Sequence, residues 1–189
     1  FTPATLRRIK ELGVTHVWYT GIIRHATTTD YSSYGIPKQH PAVVKGNAGS
    51  PYAITDYYDV DPDLAVDVEK RMKEFEALVK RTHKEGLKMI IDFVPNHVAR
   101  QYKSVAKPEG VANFGEDDDT GKQFSPMNNF YYCPGADFAP DIDLYHGCEK
   151  PYQEFPAKAT GNDCFSNRPG RNDWYETVKL NYGVDYCDA

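Results

Sequence analysis

The first 97 residues alternate helix signals with strand signals, and this order constrains the fold more than any other feature of the sequence. Thr2 and the proline after it are a typical helix start. Residues 14–19 then place bulky side chains on both faces, as strands buried on both sides do. A second helix is predicted to begin near Asp67, and residues 88–94 form the next strand. Alternation of this kind is typical of a parallel α/β protein.

Each predicted helix has one apolar stripe at helical spacing, and that stripe predicts the face that the helix buries. The first stripe is Leu6, Ile9 and Leu12, and the second is Val68, Met72, Phe75 and Val79. The charged residues on the opposite face of the second helix are expected to be solvated.

Two long stretches lack such periodicity. Residues 21–66 are rich in Gly, Pro, Ser and Tyr, and a long irregular loop inside a compact domain is usually functional. Residues 98–186 are dense in Asn, Asp, Gly, Pro and aromatic residues, which predicts no helix and only short extended runs. We therefore divide the chain into an α/β part, residues 1–97, and an irregular inserted subdomain, residues 98–186. The acidic run 117–119 is expected to be a solvated turn, with a calcium loop as the alternative.

Composition excludes some classes of partner. The net charge is −5, from 22 basic and 27 acidic side chains, whereas nucleic acid and anionic membranes require a basic patch. No stretch approaches the roughly 20 apolar residues of a membrane-spanning helix. The sequence has no signal peptide and opens at a helix start, so either a leader was removed or the chain was cut from a longer one. The compartment stays open, although an extracytoplasmic one is favoured.

The four cysteines are Cys133, Cys148, Cys164 and Cys187, and none forms a CxxC pair. A structural zinc site is therefore not expected. Up to two disulfides or four free thiols remain as alternatives, and the oligomeric state is open as well.

Residues 92–97, with the sequence Asp-Phe-Val-Pro-Asn-His, are the sharpest chemical signal. Alternate residues of a strand share a face, so the side chains of Asp92 and Phe93 are expected on opposite faces of the strand. Asp92 is then expected at the carboxyl end of a parallel strand. Barrels of the α/β type place their active sites at that end. Proline then breaks the strand and sends Asn96 and His97 into the following loop. The structural alternative is that Asp92 caps a loop and His97 is a hydrogen-bonded structural histidine.

This hexapeptide resembles the D-x-x-x-N-H signature of the α-amylase family of glycoside hydrolases. Residues 12–18, 51–58 and 178–182 resemble three further segments of that family, in the same order along the chain. The resemblance implies a portion of a TIM (β/α)₈ barrel, namely helix 1, strand 2, helix 2 and strand 3, followed by an inserted domain B. The last of these segments, residues 178–182, resembles the form found in neopullulanases and cyclomaltodextrinases.

The resemblance also implies roles for individual residues. Asp92 would support the sugar site beside the catalytic centre, His97 would donate hydrogen bonds to sugar hydroxyls, and Tyr52 would stack on the same sugar. Asn96 would lie at the junction with domain B, where many relatives bind calcium. Pro51 and Ala53 depart from the family pattern, a Gly and an Asp, so the backbone before Asp56 is expected to differ locally.

The cofactor expectation follows from the last segment, 177–181. Lys179 stands where calcium-binding relatives have an aspartate ligand, so we expect no calcium. Instead, its ammonium is expected to occupy the cation's place and donate to Asn96 and nearby carbonyls. Calcium at Asn96 remains the alternative.

The resemblance further implies what is missing. Retaining glycosidases need a nucleophile and an acid/base carboxylate about 5 Å apart. The family's nucleophile segment, G-x-R-x-D, is absent from the 189 residues, and so is the segment carrying the acid. We therefore expect no catalytic residue in this chain, and expect it to be an inactive fragment of an α-glucan hydrolase whose partners are an α-glucan and the rest of the barrel.

Two rival interpretations stay open. A non-catalytic member of the family would be a glycan-binding or accessory protein. A free-standing metal protein would use Asp92, Asn96 and His97, although this ligand set is mixed and no second cluster accompanies it.

Overall fold

A computed structural model describes residues 1–186, and its first element is helix α1, Pro3–Glu11. Thr2 is the N-cap, and its Oγ1 accepts a hydrogen bond from the Thr5 amide at 3.2 Å. Leu6 is fully buried, as its place in the stripe predicts. The prediction for Leu12 was wrong: this residue caps the helix and is exposed, because the stripe runs past the last helical turn.

Strands β1, His16–Tyr19, and β4, Lys88–Ile91, form a parallel pair. The prediction of a parallel unit is confirmed, but the expected burial of both faces of β1 was wrong. Trp18 is 64% exposed and faces Ile90 in register, which is also exposed. Among residues 1–186 these two strands pair only with each other, so their outer edges are unpaired. Strand β4 also ends at Ile91, earlier than predicted.

Helix α2, Arg71–Lys84, connects the two halves of this parallel unit. It follows a short 3₁₀ turn at Val68–Lys70, whose N-cap is Asp67, close to the predicted start. The predicted buried stripe is wrong at Met72, which is exposed. The inward face instead carries Phe75 and Leu78, which pack against the Tyr19 cluster, and the buried Thr82.

The segment 21–66 is not structureless, which corrects the expectation of a long irregular loop. It contains strands β2, Ile23–His25, and β3, Ile54–Val60, which pair antiparallel. The sequence pattern conceals this pair because its buried positions carry charges. Arg24 and Asp56 face each other in register, and their side chains are 2% and 0% exposed.

Residues 98–186 contain no helix in the structure, as predicted, and only short strands. Strand β5, His97–Ala99, pairs with β8, Thr177–Lys179, and strand β6, Tyr132–Cys133, pairs with β7, Ala157–Lys158. One core cluster joins Val98, Phe130, Tyr132, Val178 and Leu180.

The segment 21–66 packs directly on these residues. Ala42 and Val43 share a cluster with Phe138 and Tyr152, and Ala99 joins another cluster from that segment. The boundary at residue 97 stays a prediction.

Buried ion pairs organise this irregular region. Arg100 is fully buried, lies 2.6 Å from Glu154, and stacks 3.8 Å from the Phe138 ring centroid.

The expected solvated turn at 117–119 was wrong for Asp118. Its carboxylate accepts hydrogen bonds from the backbone amides of Asn129 and Phe130 and from the Tyr132 hydroxyl.

Cys133, Cys148 and Cys164 are free thiols, and Cys187 lies outside the described residues. The pKa of the Cys133 thiol is raised, mainly because the thiol is partly buried. Within residues 1–186, no helix is long and apolar enough to cross a membrane.

Candidate functional site

Asp92 lies directly after β4, at the carboxyl end of the parallel pair, as the sequence predicts. One carboxylate oxygen accepts a hydrogen bond from the Trp18 indole at 2.9 Å. The second oxygen, Oδ2, is buried and has no hydrogen-bond partner among residues 1–186. A buried carboxylate oxygen without a donor is costly, so a hydrogen bond donated to this oxygen would stabilise Asp92.

His97 opens β5 and is only 7% exposed. The Asn96 amide lies 3.0 Å from its Nδ1, and the ring also donates to the backbone carbonyl of Tyr52. Because a neutral imidazole has one donor and one acceptor, these contacts fix the neutral tautomer. Burial and the nearby Lys179 ammonium lower the pKa of His97, and the bond to Tyr52 only partly opposes them.

Tyr52 precedes β3, in the turn that its amide helps to form by donating to the Ser50 hydroxyl at 3.3 Å. Its side chain is 45% exposed, while its backbone contacts the His97 ring. The structure therefore brings Tyr52, Asn96 and His97 together. Asp92 lies in a separate contact, with Trp18.

Three residues that sequence reasoning missed complete the surroundings of His97. The Gly161 carbonyl accepts from the Asn96 amide at 2.8 Å, and the Gly161 amide donates to the Thr177 hydroxyl at 3.2 Å. The Trp174 ring centroid lies 5.3 Å from that of His97 in an edge-on arrangement. No local pattern marks them, because they reach His97 from the distant end of the chain.

The expected contact between Lys179 and Asn96 was wrong. The Lys179 ammonium lies 2.5 Å from the Asp163 carboxylate, whereas Asn96 donates to Gly161 and His97. A carboxylate is a stronger partner for an ammonium than a neutral amide is. The β5–β8 register does place Lys179 opposite His97.

These residues do not fit a calcium ion. Calcium takes six to eight oxygen ligands, whereas the Asn96 amide nitrogen bonds to Gly161 and His97 and the Lys179 ammonium acts on the same His97 ring. Across the described part of the chain, no three acidic, His or Cys side chains come together as a metal site.

The parallel strand–helix–strand unit, with polar residues after its second strand, is the repeating unit from which α/β barrels are built. Residues 4–143 match the model of the alpha-amylase catalytic domain. The chain belongs to this family of TIM-barrel glycoside hydrolases.

Individual relatives match shorter parts. Maltase A2 of Drosophila melanogaster is 28% identical over 130 residues, which are 64% of this chain and 18% of that protein. The amino acid transporter heavy chain SLC3A1 of Rattus norvegicus is 43% identical over 51 residues, 27% of this chain and 7% of that protein. A crystal structure of an alpha-amylase from Lactobacillus plantarum has a TM-score of 0.40 and 32% identity, covering 55% of this chain and 20% of that one. The chain thus spans only a small part of its relatives' length.

Proposed function

We propose that these residues form part of the α-glucan-binding site of a retaining glycoside hydrolase, with Tyr52, Asp92 and His97 contacting the sugar. The observation that carries the proposal is the cluster of Tyr52, Asn96 and His97, in which a neutral, oriented imidazole adjoins an exposed tyrosine. Aromatic faces stack on the apolar faces of sugars, and an oriented polar group reads the hydroxyls. Maltases and an alpha-amylase among the relatives support this substrate class.

Within this proposal, α1, β1, α2 and β4 correspond to helix 1, strand 2, helix 2 and strand 3 of the barrel, and residues 98–186 to domain B. The order of the elements and the parallel β1–β4 pair support this assignment.

The proposal includes that the 189 residues alone do not hydrolyse α-glucans. Retaining chemistry needs two carboxylates about 5 Å apart, and the contacts of Asp92 involve Trp18 rather than a second carboxylate. We also propose that no calcium is required, because Asp163 and Lys179 already form an ion pair beside the site.

Calorimetric titration of the purified chain with maltotriose tests the binding proposal. His97→Ala is expected to weaken binding roughly tenfold or more, because it removes the imidazole that holds the Tyr52 carbonyl and the Asn96 amide in place, and such hydrogen bonds are worth about 1–3 kcal/mol. His16→Ala is the matched control, since His16 is exposed on β1 and its side chain bonds only to Thr15 among the described residues. Absence of maltotriose binding, or equal affinities for the two variants, would contradict the proposal. Turnover of a chromogenic maltoside that Asp92→Ala abolishes would contradict the predicted inactivity.

A second candidate is a non-catalytic accessory protein, and the similarity to a transporter heavy chain favours it. Both candidates predict no turnover by the 189 residues. The full-length gene product distinguishes the two candidates. A hydrolase has a G-x-R-x-D segment and turns over maltodextrin, whereas an accessory protein lacks the segment and does not turn over maltodextrin.

A further inference from the structure

Two segments of the irregular region, 131–139 and 164–167, lie side by side. Asn167 ties them together, because its carbonyl accepts from the Ala139 amide and its side-chain amide donates to the Asp137 carbonyl, both at 2.8 Å. Both bonds involve backbone atoms, so they fix the spacing of the two segments. Each segment carries one cysteine, and neither cysteine belongs to the proposed glycan site.

These two cysteines, Cys133 and Cys164, are neighbours across the contact. The Cys133 Sγ donates to the carbonyl of Phe165, the residue next to Cys164, at 3.3 Å. The Tyr131 ring meets the Phe165 ring edge-on, with centroids 5.3 Å apart, and so holds the same approach. Burial is the main cause of the raised pKa of the Cys133 thiol, and the nearby Cys164 thiol also raises it. The two thiols are therefore close enough to interact, although they are not bonded.

Both thiols are half-buried, so a small reagent can reach them in the folded chain. A third thiol, that of Cys148, is half-buried as well but is placed differently. Its amide donates to the Tyr145 carbonyl at 2.8 Å, and among residues 1–186 no described contact joins it to Cys133 or Cys164. Cys148 is therefore a matched reference for reactivity that depends on the pair.

Cys164 closes a turn, residues 160–164, that reaches the candidate site. Its amide donates to the Thr160 hydroxyl at 3.1 Å, and its carbonyl accepts from the Thr160 amide at 3.0 Å. The same turn contains Gly161, whose carbonyl accepts from Asn96 at 2.8 Å. A covalent bond from β6 to Cys164 would hold this wall of the site from a second side.

We propose that Cys133 and Cys164 are a redox-active dithiol, which a small disulfide such as oxidised glutathione converts into an intramolecular disulfide. One protein thiolate attacks a glutathione sulfur, so a mixed disulfide forms as the glutathione disulfide breaks and one glutathione thiolate leaves. The second protein thiolate then attacks the protein sulfur of the mixed disulfide and displaces the other glutathione. Both protein sulfurs are oxidised and both glutathione sulfurs are reduced, while the two thiol protons pass through solvent to the glutathione thiolates.

Oxidation should stabilise the fold. A bond between these two residues closes a loop of the chain, which restricts the unfolded state more than the folded one. We expect the melting temperature to rise by several degrees in the oxidised chain and to return when dithiothreitol reduces the bond.

Incubation of the folded chain with oxidised glutathione, followed by alkylation and peptide mapping, tests the proposal. Trypsin, together with a protease that cleaves before aspartate, separates the four cysteines into different peptides. Two thiols are expected to disappear, and the peptides of Cys133 and Cys164 are expected to be cross-linked. Cys148→Ser is the matched control and should give the same cross-link, whereas Cys164→Ser should leave Cys133 without an intramolecular bond.

Several results would overturn the pairing. They are persistence of all four thiols, a glutathione adduct without a cross-link, and a cross-link of either residue to Cys148 or Cys187. A Cys133–Cys164 bond that forms only after unfolding in urea would do the same, because the folded contact would then not direct it. A cross-link that leaves the melting temperature unchanged would overturn the stabilisation. None of these measurements uses a sugar, so they leave the proposed glycan site untouched.

Discussion

Substitution of Gly161 by alanine tests most directly how the His97 site is held. An added Cβ would lie 2.6 Å from the Thr177 Oγ1 and 2.8 Å from both Cβ and Cγ of His97. Distances this short require the neighbouring atoms to move. The Cβ of His97 is fixed by its own backbone in β5, so a side-chain rotation does not relieve the clash.

The expected cost follows from these contacts. Overfilling a tight site costs about 1–3 kcal/mol, while replacing glycine by alanine returns about 0.4–1 kcal/mol through the unfolded state. We therefore expect Gly161→Ala to lower the free energy of unfolding by roughly 1–2 kcal/mol. At about 2–4 °C per kcal/mol for a domain of this size, the melting temperature falls by several degrees. Maltotriose affinity falls as well, because movement of Gly161 breaks its bond from Asn96.

Urea unfolding and calorimetric titration measure the two effects, and Gly170→Ala is the matched control. A Cβ at Gly170 would meet only the Asp173 carboxylate, at an ordinary 3.6 Å, so this variant is expected to be neutral or slightly stabilised. If Gly161→Ala matched Gly170→Ala in both stability and affinity, the close approach of Gly161 to His97 would not position the site.

Three further predictions follow from buried or exposed charges and rings. Arg100→Met is expected to cost up to about 3–5 kcal/mol in urea unfolding, because the buried Glu154 carboxylate loses its 2.6 Å ion pair and keeps only the longer one to Lys158, at 3.4 Å; the double change with Glu154→Gln should recover part of that loss. Burial opposes the charged form of His25, but its bond to Asp61 raises the pKa above 6.5 overall. The pair should therefore stabilise the fold at low pH and lose this effect as pH rises through the raised pKa, a difference that His25→Gln should remove from melting curves. The exposed Trp18 should promote association in sedimentation velocity at rising concentration, and Trp18→Gln should reduce it.

Local signals explain which elements the sequence predicts well. The start of α1 depends on Thr2 and the proline after it, and the bond from Thr5 to Thr2 needs no distant residue. Burial is different, since it depends on what surrounds an element. Trp18 has the hydrophobicity of a buried strand residue, yet it is exposed on a strand that the described residues pair on one side only.

The missed β2–β3 pair shows how charge can conceal a strand. Asp56 and Asp59 read as loop residues, although both are buried and paired with arginines. Periodicity of apolar residues cannot reveal a strand whose inward positions are ionic. The candidate site also combines local and distant residues. Residues 92–97 are recognisable from the local sequence, whereas Gly161 contacts Asn96 although the two are 65 positions apart in the sequence.

The buried carboxylate of Asp56 also explains how Tyr52 stays in place despite the two departures from the family pattern beside it. One oxygen of Asp56 accepts from the Ser104 hydroxyl at 2.6 Å, and the other accepts from the amides of Val105 and Ala106 at 2.8 and 3.2 Å. Because every one of these donors lies between residues 104 and 106, the carboxylate ties β3 to the stretch that follows β5. Ala53, where the family has an aspartate, is buried instead, and its carbonyl accepts from Ala26 at 2.8 Å. Tyr52 is therefore anchored by the strand that follows it, and the lost aspartate is replaced by apolar contacts rather than by a loose turn.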